Sequence, residues 1–340
     1  MKKRACLLSV AVAVLLGGCG RNTDILEGQV GSPDIVMEQE TVEVSAPEPG
    51  NDTEEQPDEP DVDDPAEHAA VDAGNMDDGS GLTDTEEAAS AVPQSLTYID
   101  AWGEWHTNPI DTTCRMHDYK WDGLVNDGQN ISFEDDTYMI RKGIDISYHQ
   151  GVVDFQKVKD AGYEFVIVRV AYRGYGTTGS LNEDKMFREY IEKAQAVGLD
   201  VGVYIFSQAI SEAEALEEAN LVLELIKDYD LQLPVVYDPE FIRDDEARTD
   251  HISGEQFTAN AIAFCEKIKE AGYEPMIYSN MIWEGEVFTM SRLQDYRFWY
   301  ADYELVPQTP YAFDFWQYSG SGFVDGISGE TDLDIQFIKK

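Results

Sequence analysis

From residue 143 onward, short apolar runs alternate with amphipathic segments along the chain. GIDIS (143–147), YEFVIVRVAYR (163–173), DVGVYIFSQA (200–209) and LPVVYDPEF (233–241) each read as a strand. A short apolar, β-branched run bounded by turn residues is the mark of a buried strand. EPMIYSN (274–280), RFWYADY (297–303), FDFWQYS (313–319) and DLDIQFI (332–338) continue the series. Helices are expected between them. Asp154 N-caps one that runs to about Ala161; Asn182 opens a second that ends at Val197, with Gly198 as its C-cap. Ser211 starts an amphipathic helix to about Asp228, with Glu214 completing a capping box. A fourth runs from about Ser253 to Ala271 and is closed by Gly272. Strand–helix alternation implies a parallel sheet with helices outside it, and about 200 residues suit one closed barrel. Loops late in the chain lose the helical period. The expected fold is therefore α/β, an irregular TIM-like (β/α) barrel, helix-poor toward its C-terminal end, over residues 142–340.

Upstream, the pattern changes twice. Residues 96–141 lack a clear period but hold Tyr98, Trp102, Trp105, Tyr119, Trp121, Phe133 and Tyr138. That is too aromatic for a linker, so an extension of loops and short strands packed on the barrel is expected. Its rings suit core packing more often than sugar stacking. Residues 19–95 are rich in Asp, Glu, Pro, Gly and Ser, with Arg21 the only Lys or Arg. Such a segment buries too little apolar surface to offset chain entropy, and its like charges extend it. It reads as a disordered acidic linker.

The first residues decide the compartment. Lys2, Lys3 and Arg4 precede an apolar stretch from Ala5 to Leu16 that is too short to span a membrane, as in a signal peptide. Leu16-Gly17-Gly18-Cys19 resembles a bacterial lipobox, which implies cleavage after residue 18 and acylation of Cys19. Export, with a lipid anchor facing the cell wall, is the expectation. The formal net charge is −43, and the linker supplies roughly half of it. Nucleic acid is an unsuitable partner for so acidic a chain, because phosphate binding needs basic patches. Of four cysteines, Cys114 and Cys265 remain beyond the leader, as one disulfide or two free thiols. No Cys/His cluster has metal-ligand spacing, so neither a metal nor another cofactor is expected. A monomer is the default for a tethered barrel.

Chemistry concentrates late in the strands, where barrel active sites lie. Asp238 and Glu240, two apart on one strand, point the same way. Paired carboxylates with different environments are the machinery of glycoside hydrolysis. Asp145, Tyr204, Gln208, Tyr278, Asp302, Trp316, Gln317 and Asp332 lie on the strands too, most of them late. Core packing or helix capping explains each of them singly; their joint placement argues for a site. Tyr237, opposite in phase to Asp238, is read as core.

These segments together resemble glycoside hydrolase family 25, the lysozyme-type muramidases. The resemblance is carried by KGIDISYHQGVVDFQKVKDAGYEFVIVRVAYR (142–173), VGVYIFSQA, LPVVYDPEF and FDFWQYSGSGFVDGISGETDLDIQF (313–337). It implies Glu240 as proton donor and Asp145, Asp238 and Asp332 as the other active-site carboxylates. It further implies cleavage of the β-1,4 bond between N-acetylmuramic acid and N-acetylglucosamine in peptidoglycan, with retention, through Asp238 directly or through the substrate's own N-acetyl oxygen. Tyr204, Gln208, Tyr278, Asp302, Trp316 and Gln317 are the candidate substrate-binding residues. Crowding by carboxylates and aromatics is expected to raise the pKa of Glu240 and keep it protonated. Two departures stand out. Pro239 separates the acids where many relatives carry an aliphatic residue, and Asp332-Leu333-Asp334 replaces Asp-Leu-Asn, adding a charge near the site. The rival readings are an inactive glycan-binding surface lipoprotein and a hydrolase of another amino-sugar polymer.

Overall fold

The computed structural model describes residues 95–243 and 245–340. The expected leader, Cys19 and the linker up to residue 94 lie outside the described residues. The upstream extension opens with an antiparallel hairpin, β1 (Ser95–Ile99) and β2 (Trp105–Pro109), followed by a second small pair, β3 (Leu124–Asn126) and β4 (Ile131–Phe133). Tyr119 stacks on Phe337 at 4.1 Å between ring centroids, and Trp121 contacts Phe133, Trp316 and Phe337. Most aromatics of the extension are thus packing residues; Trp102 and Trp105 remain exposed.

Eight strands then close a barrel. They are β5 (Tyr138–Ile146), β6 (Phe165–Arg173), β8 (Asp200–Ser207), β9 (Val235–Pro239), β10 (Pro275–Ser279), β11 (Arg297–Ala301), β12 (Phe315–Gly322) and β13 (Thr331–Lys339), which pairs back onto β5. The short β7 (Leu181–Glu183) lies antiparallel on β6. Helices α1 (Phe155–Asp160), α2 (Phe187–Val197), α3 (Glu212–Ile226) and α4 (Gly254–Glu270) follow β5, β6, β8 and β9 in turn. After β10 only a π-helical turn, Trp283–Val287, and the one-turn α5 (Met290–Leu293) remain. β6 is buried at every position, as a strand covered on both faces should be.

Two apolar cores result. Phe165, Ile167, Val236, Met276, Trp299 and Phe315 fill the barrel interior, and a larger cluster lies between the strands, the helices and the extension. Gly143 is required where β5 meets this filling, because a Cβ there would sit 2.1 Å from the Phe165 ring.

Several expectations are corrected. The last strand is not parallel: β13 runs antiparallel to both β12 and β5. Residues 323–330 are too short a link for a parallel crossover, which takes a dozen residues or more. The second helix starts at Phe187, not Asn182, because residues 181–183 are extended and paired with β6. Only half of the capping box forms. The Ser211 side chain accepts from the Glu214 amide, but the Glu214 carboxylate takes the Ile210 amide and Arg248 instead. Cys114 and Cys265 are separate, buried thiols.

Candidate active site

Seven consecutive parallel strands bring their C-terminal ends to one rim. Because β13 runs the other way, its first residues reach that same rim, and Asp332 pairs directly with Asp145 of β5. In the neighbouring register Asp238 stands beside Phe206. β9 ends at Pro239, which has no N–H to continue the ladder, so Glu240 leaves the strand at the rim, half-buried.

Two tyrosine hydroxyls, one on the half-buried Tyr204 and one on the buried Tyr278, mark where the carboxylates converge. Desolvation pushes the Tyr204 hydroxyl well above its ordinary value; Arg169 opposes this, while Asp145, Asp238 and Asp332 add to it. The Tyr278 hydroxyl is pushed up in the same way, by burial first and then by Tyr303, Glu240, Asp238 and Asp145. Asp145, Asp238 and Asp332 thus act on Tyr204, and Asp145, Asp238 and Glu240 on Tyr278.

Gln317 ties this mouth together. Its Nε2 donates to Asp145 Oδ2 at 2.8 Å, while its Oε1 accepts from Tyr278 at 2.9 Å and from Tyr303 at 3.1 Å. Gln208 supports the other wall: its Nε2 donates to the Glu240 carbonyl at 2.7 Å, and its Oε1 accepts from Thr249. It positions the backbone at Glu240.

Two candidates are turned elsewhere. Trp316 is 0 % exposed and lies on the outer face, its indole N–H donating to the Asp302 carbonyl at 2.8 Å. A ring without exposed surface offers a sugar no face, so Trp316 is core. Asp302 lies in the same outward phase. Its carboxylate accepts from Tyr300 and from the amides of Glu304 and Gln308, and burial pushes it up to about 6. It organises the loop after β11 and does not face the mouth. Tyr237 packs outward on Phe264, as its phase implied.

The sequence reading missed Arg169 and Asp184. Arg169 lies on the inward phase of β6 and donates from Nε to Asp184 Oδ2 at 3.0 Å. The pair is buried, and the guanidinium lies over the rings of Tyr148 and Tyr172. Asp184 also accepts from the amides of Tyr148 and Met186. An arginine inside the apolar run FVIVRVAYR was the available signal. The Arg169 charge also acts on the Tyr204 hydroxyl, opposing the rise that burial causes there. Asp334, the extra acid of the last strand, lies deeper in the barrel and accepts the Trp299 indole N–H at 2.8 Å. Burial, and then the Asp145 charge, push it well above the ordinary carboxylate range.

The chain is similar to known proteins in both sequence and fold. The model of the glycosyl hydrolases family 25 matches residues 144–327. The chain is 29 % identical over 194 residues to the autolytic lysozyme of Clostridium acetobutylicum, covering 57 % of this chain and 55 % of that protein. It thus spans about half the length of that curated relative. In fold it resembles the modular autolysin LytC of Streptococcus pneumoniae, with a TM-score of 0.52 and 24 % identity over 73 % of this chain and 57 % of that one. It also resembles the spore cortex lytic enzyme SleM of Clostridium perfringens, with a TM-score of 0.51 and 20 % identity over 58 % of this chain and 67 % of that one. With more than half of its length matched by the family model, and with an eight-stranded barrel carrying four acids at one rim, the chain belongs to glycosyl hydrolase family 25.

Proposed function

We propose that this protein is a cell-wall muramidase that hydrolyses the β-1,4 bond between N-acetylmuramic acid and N-acetylglucosamine in peptidoglycan. The observation that carries the reading is the convergence of Asp145, Asp238, Asp332 and Glu240 around Tyr204 and Tyr278. Glu240, half-buried at the rim, gives its proton to the glycosidic oxygen as the C1–O bond breaks. Asp238 and Asp145 stay ionised and stabilise the positive charge that develops at the sugar. Asp332 completes the acidic floor. Water then adds at C1 and its proton returns to Glu240. The chemistry asks for no cofactor.

Relatives support the substrate class. The matched clostridial protein is an autolytic lysozyme, and the pneumococcal autolysin has been solved with a synthetic peptidoglycan ligand. We read the barrel as an irregular, helix-poor variant of the TIM-like (β/α) type. The lipobox-like leader and acidic linker fit a monomeric enzyme exported, acylated at Cys19 and held at the membrane facing the wall.

The test incubates the full chain, and its Glu240→Gln variant, with purified peptidoglycan and identifies new reducing ends by mass spectrometry. Reducing N-acetylmuramic acid, cut by on the order of 10²–10⁴-fold in the variant, is the expected result. Reducing N-acetylglucosamine would change the bond assigned. Binding without release would replace the enzyme with a glycan-binding surface lipoprotein.

A further inference from the structure

The β1–β2 hairpin lies outside the region matched by the family model, yet it is built onto the active-site rim. Three rim loops hold it. Gln308, in the loop after β11, donates to the Ile99 carbonyl at 2.8 Å and accepts the Ile99 amide at 2.9 Å. Glu286, in the π-helical turn after β10, accepts from Tyr98 and Asn108 and lies 2.9 Å from His106 Nδ1. The other ring nitrogen of His106 lies 3.2 Å from Asp100 Oδ2, so the imidazole bridges two carboxylates. Among the described residues, Asp100, Glu104 and His106 could also group around a cation, but a protonated imidazole accounts for both short contacts. The third anchor is the loop after β9. Arg243, three residues beyond Glu240, lies 3.4 Å from the Trp102 ring centroid and 3.8 Å from Asp100 Oδ2.

The hairpin turn is firmly shaped. Asp100 Oδ1 accepts the amides of Trp102 and Glu104, and Gly103 takes the left-handed backbone the turn needs, with φ of 82°. At that turn Trp102 is 40 % exposed, and beside Glu240 the 37 % exposed Phe241 stacks on Trp283. Large aromatics are highly buried on average. Here two of them stay accessible on segments fixed to the loop that carries Glu240.

We infer that Trp102, backed by Arg243, and Phe241 form an aromatic ledge that extends the catalytic mouth and binds additional sugar rings of a glycan strand. This rests on the proposed function for the identity of the polymer. A polymer threading past Glu240 must leave the barrel mouth over the surrounding rim, and the hairpin occupies the β9–β11 side of it. A flat ring with an exposed face stacks on the apolar face of a sugar, and Arg243 holds the indole in one orientation.

Binding is measured with the Glu240→Gln protein, so that cleavage does not intervene, by co-sedimentation with purified, peptide-free glycan strands. Trp102→Ala is expected to weaken binding about tenfold, as loss of one stacked ring should. Trp102→Phe should restore most of it, while Trp105→Ala, on the solvent side of β2, should change little. Thermal melting of each variant checks that the hairpin and barrel persist. Unchanged binding by Trp102→Ala overturns the ledge, and so does equal loss in Trp105→Ala. If the parent chain binds through Trp102 but does not cut the same strands, the ledge stands and the muramidase reading falls. If the parent chain does not bind glycan at all, both fall.

Discussion

Replacing Asp334 by Asn tests the electrostatics of the barrel interior beneath the mouth. Asp334 is wholly buried, accepts the Trp299 indole N–H and interacts with the Asp145 carboxylate. Burial and that charge hold its folded pKa far above the value in the unfolded chain. The sign follows from linkage: the folded state keeps a proton that the unfolded chain surrenders. Stability is therefore full below the ordinary carboxylate range and falls as pH rises toward the ionisation of Asp334. Each pH unit in that window costs up to roughly 1.4 kcal/mol. Asparagine has the same shape, keeps an acceptor for Trp299 and has no proton to lose. Asp334→Asn should therefore gain on the parent as pH rises above the ordinary carboxylate range, until Asp334 ionises in the folded state as well. Urea unfolding of both proteins at pH 5, 6, 7 and 8 measures this directly. Stability curves that run parallel across that range would refute the argument, because they would mean Asp334 ionises alike in both states.

Other substitutions probe separate parts of the site. Gln317→Leu removes the amide that binds Asp145, Tyr278 and Tyr303; turnover of peptidoglycan should fall about 10- to 100-fold, with the melting temperature much less affected. Arg169→Met leaves Asp184 buried without its cation, and should destabilise the fold by about 3–5 kcal/mol in urea unfolding. Thiol labelling of the native protein should leave Cys114 and Cys265 largely unreacted, and both should label once the chain is unfolded, with or without reductant.

The strands and most helices could be read from the sequence because their signals are local. Asp154, Ser211 and Ser253 do cap helices, and Gly198 ends one with φ of 77°. What misled was phase and partner choice. Asp302 comes late in its strand, as a site residue should, but Trp299 and Ala301 set the inward phase, so Asp302 faces out. Trp316 fails for the same reason, one residue from Gln317. Asn182 has the chemistry of a cap, yet tertiary pairing with Tyr172 makes its segment a strand. Arg169 went unremarked because its partner, Asp184, is set by a loop that has no periodic signal. The direction of β13 depends on the length of its connection rather than on its apolar pattern.

The pairing of Asp332 with Asp145, and of Lys339 with Tyr138 in the same ladder, bears on how the protein comes into being. The first and last strands of the ring are far apart in sequence, so the contact that completes the barrel is among the slowest to form. Until β13 docks, the sheet is an open ribbon with β5 and β12 as bare edges, prone to pairing with other chains. The acid cluster is incomplete over the same interval. A chain emerging from a ribosome or a translocation pore therefore presents its aggregation hazard early and its chemistry last, and a prematurely truncated product lacking β13 would be both inactive and sticky.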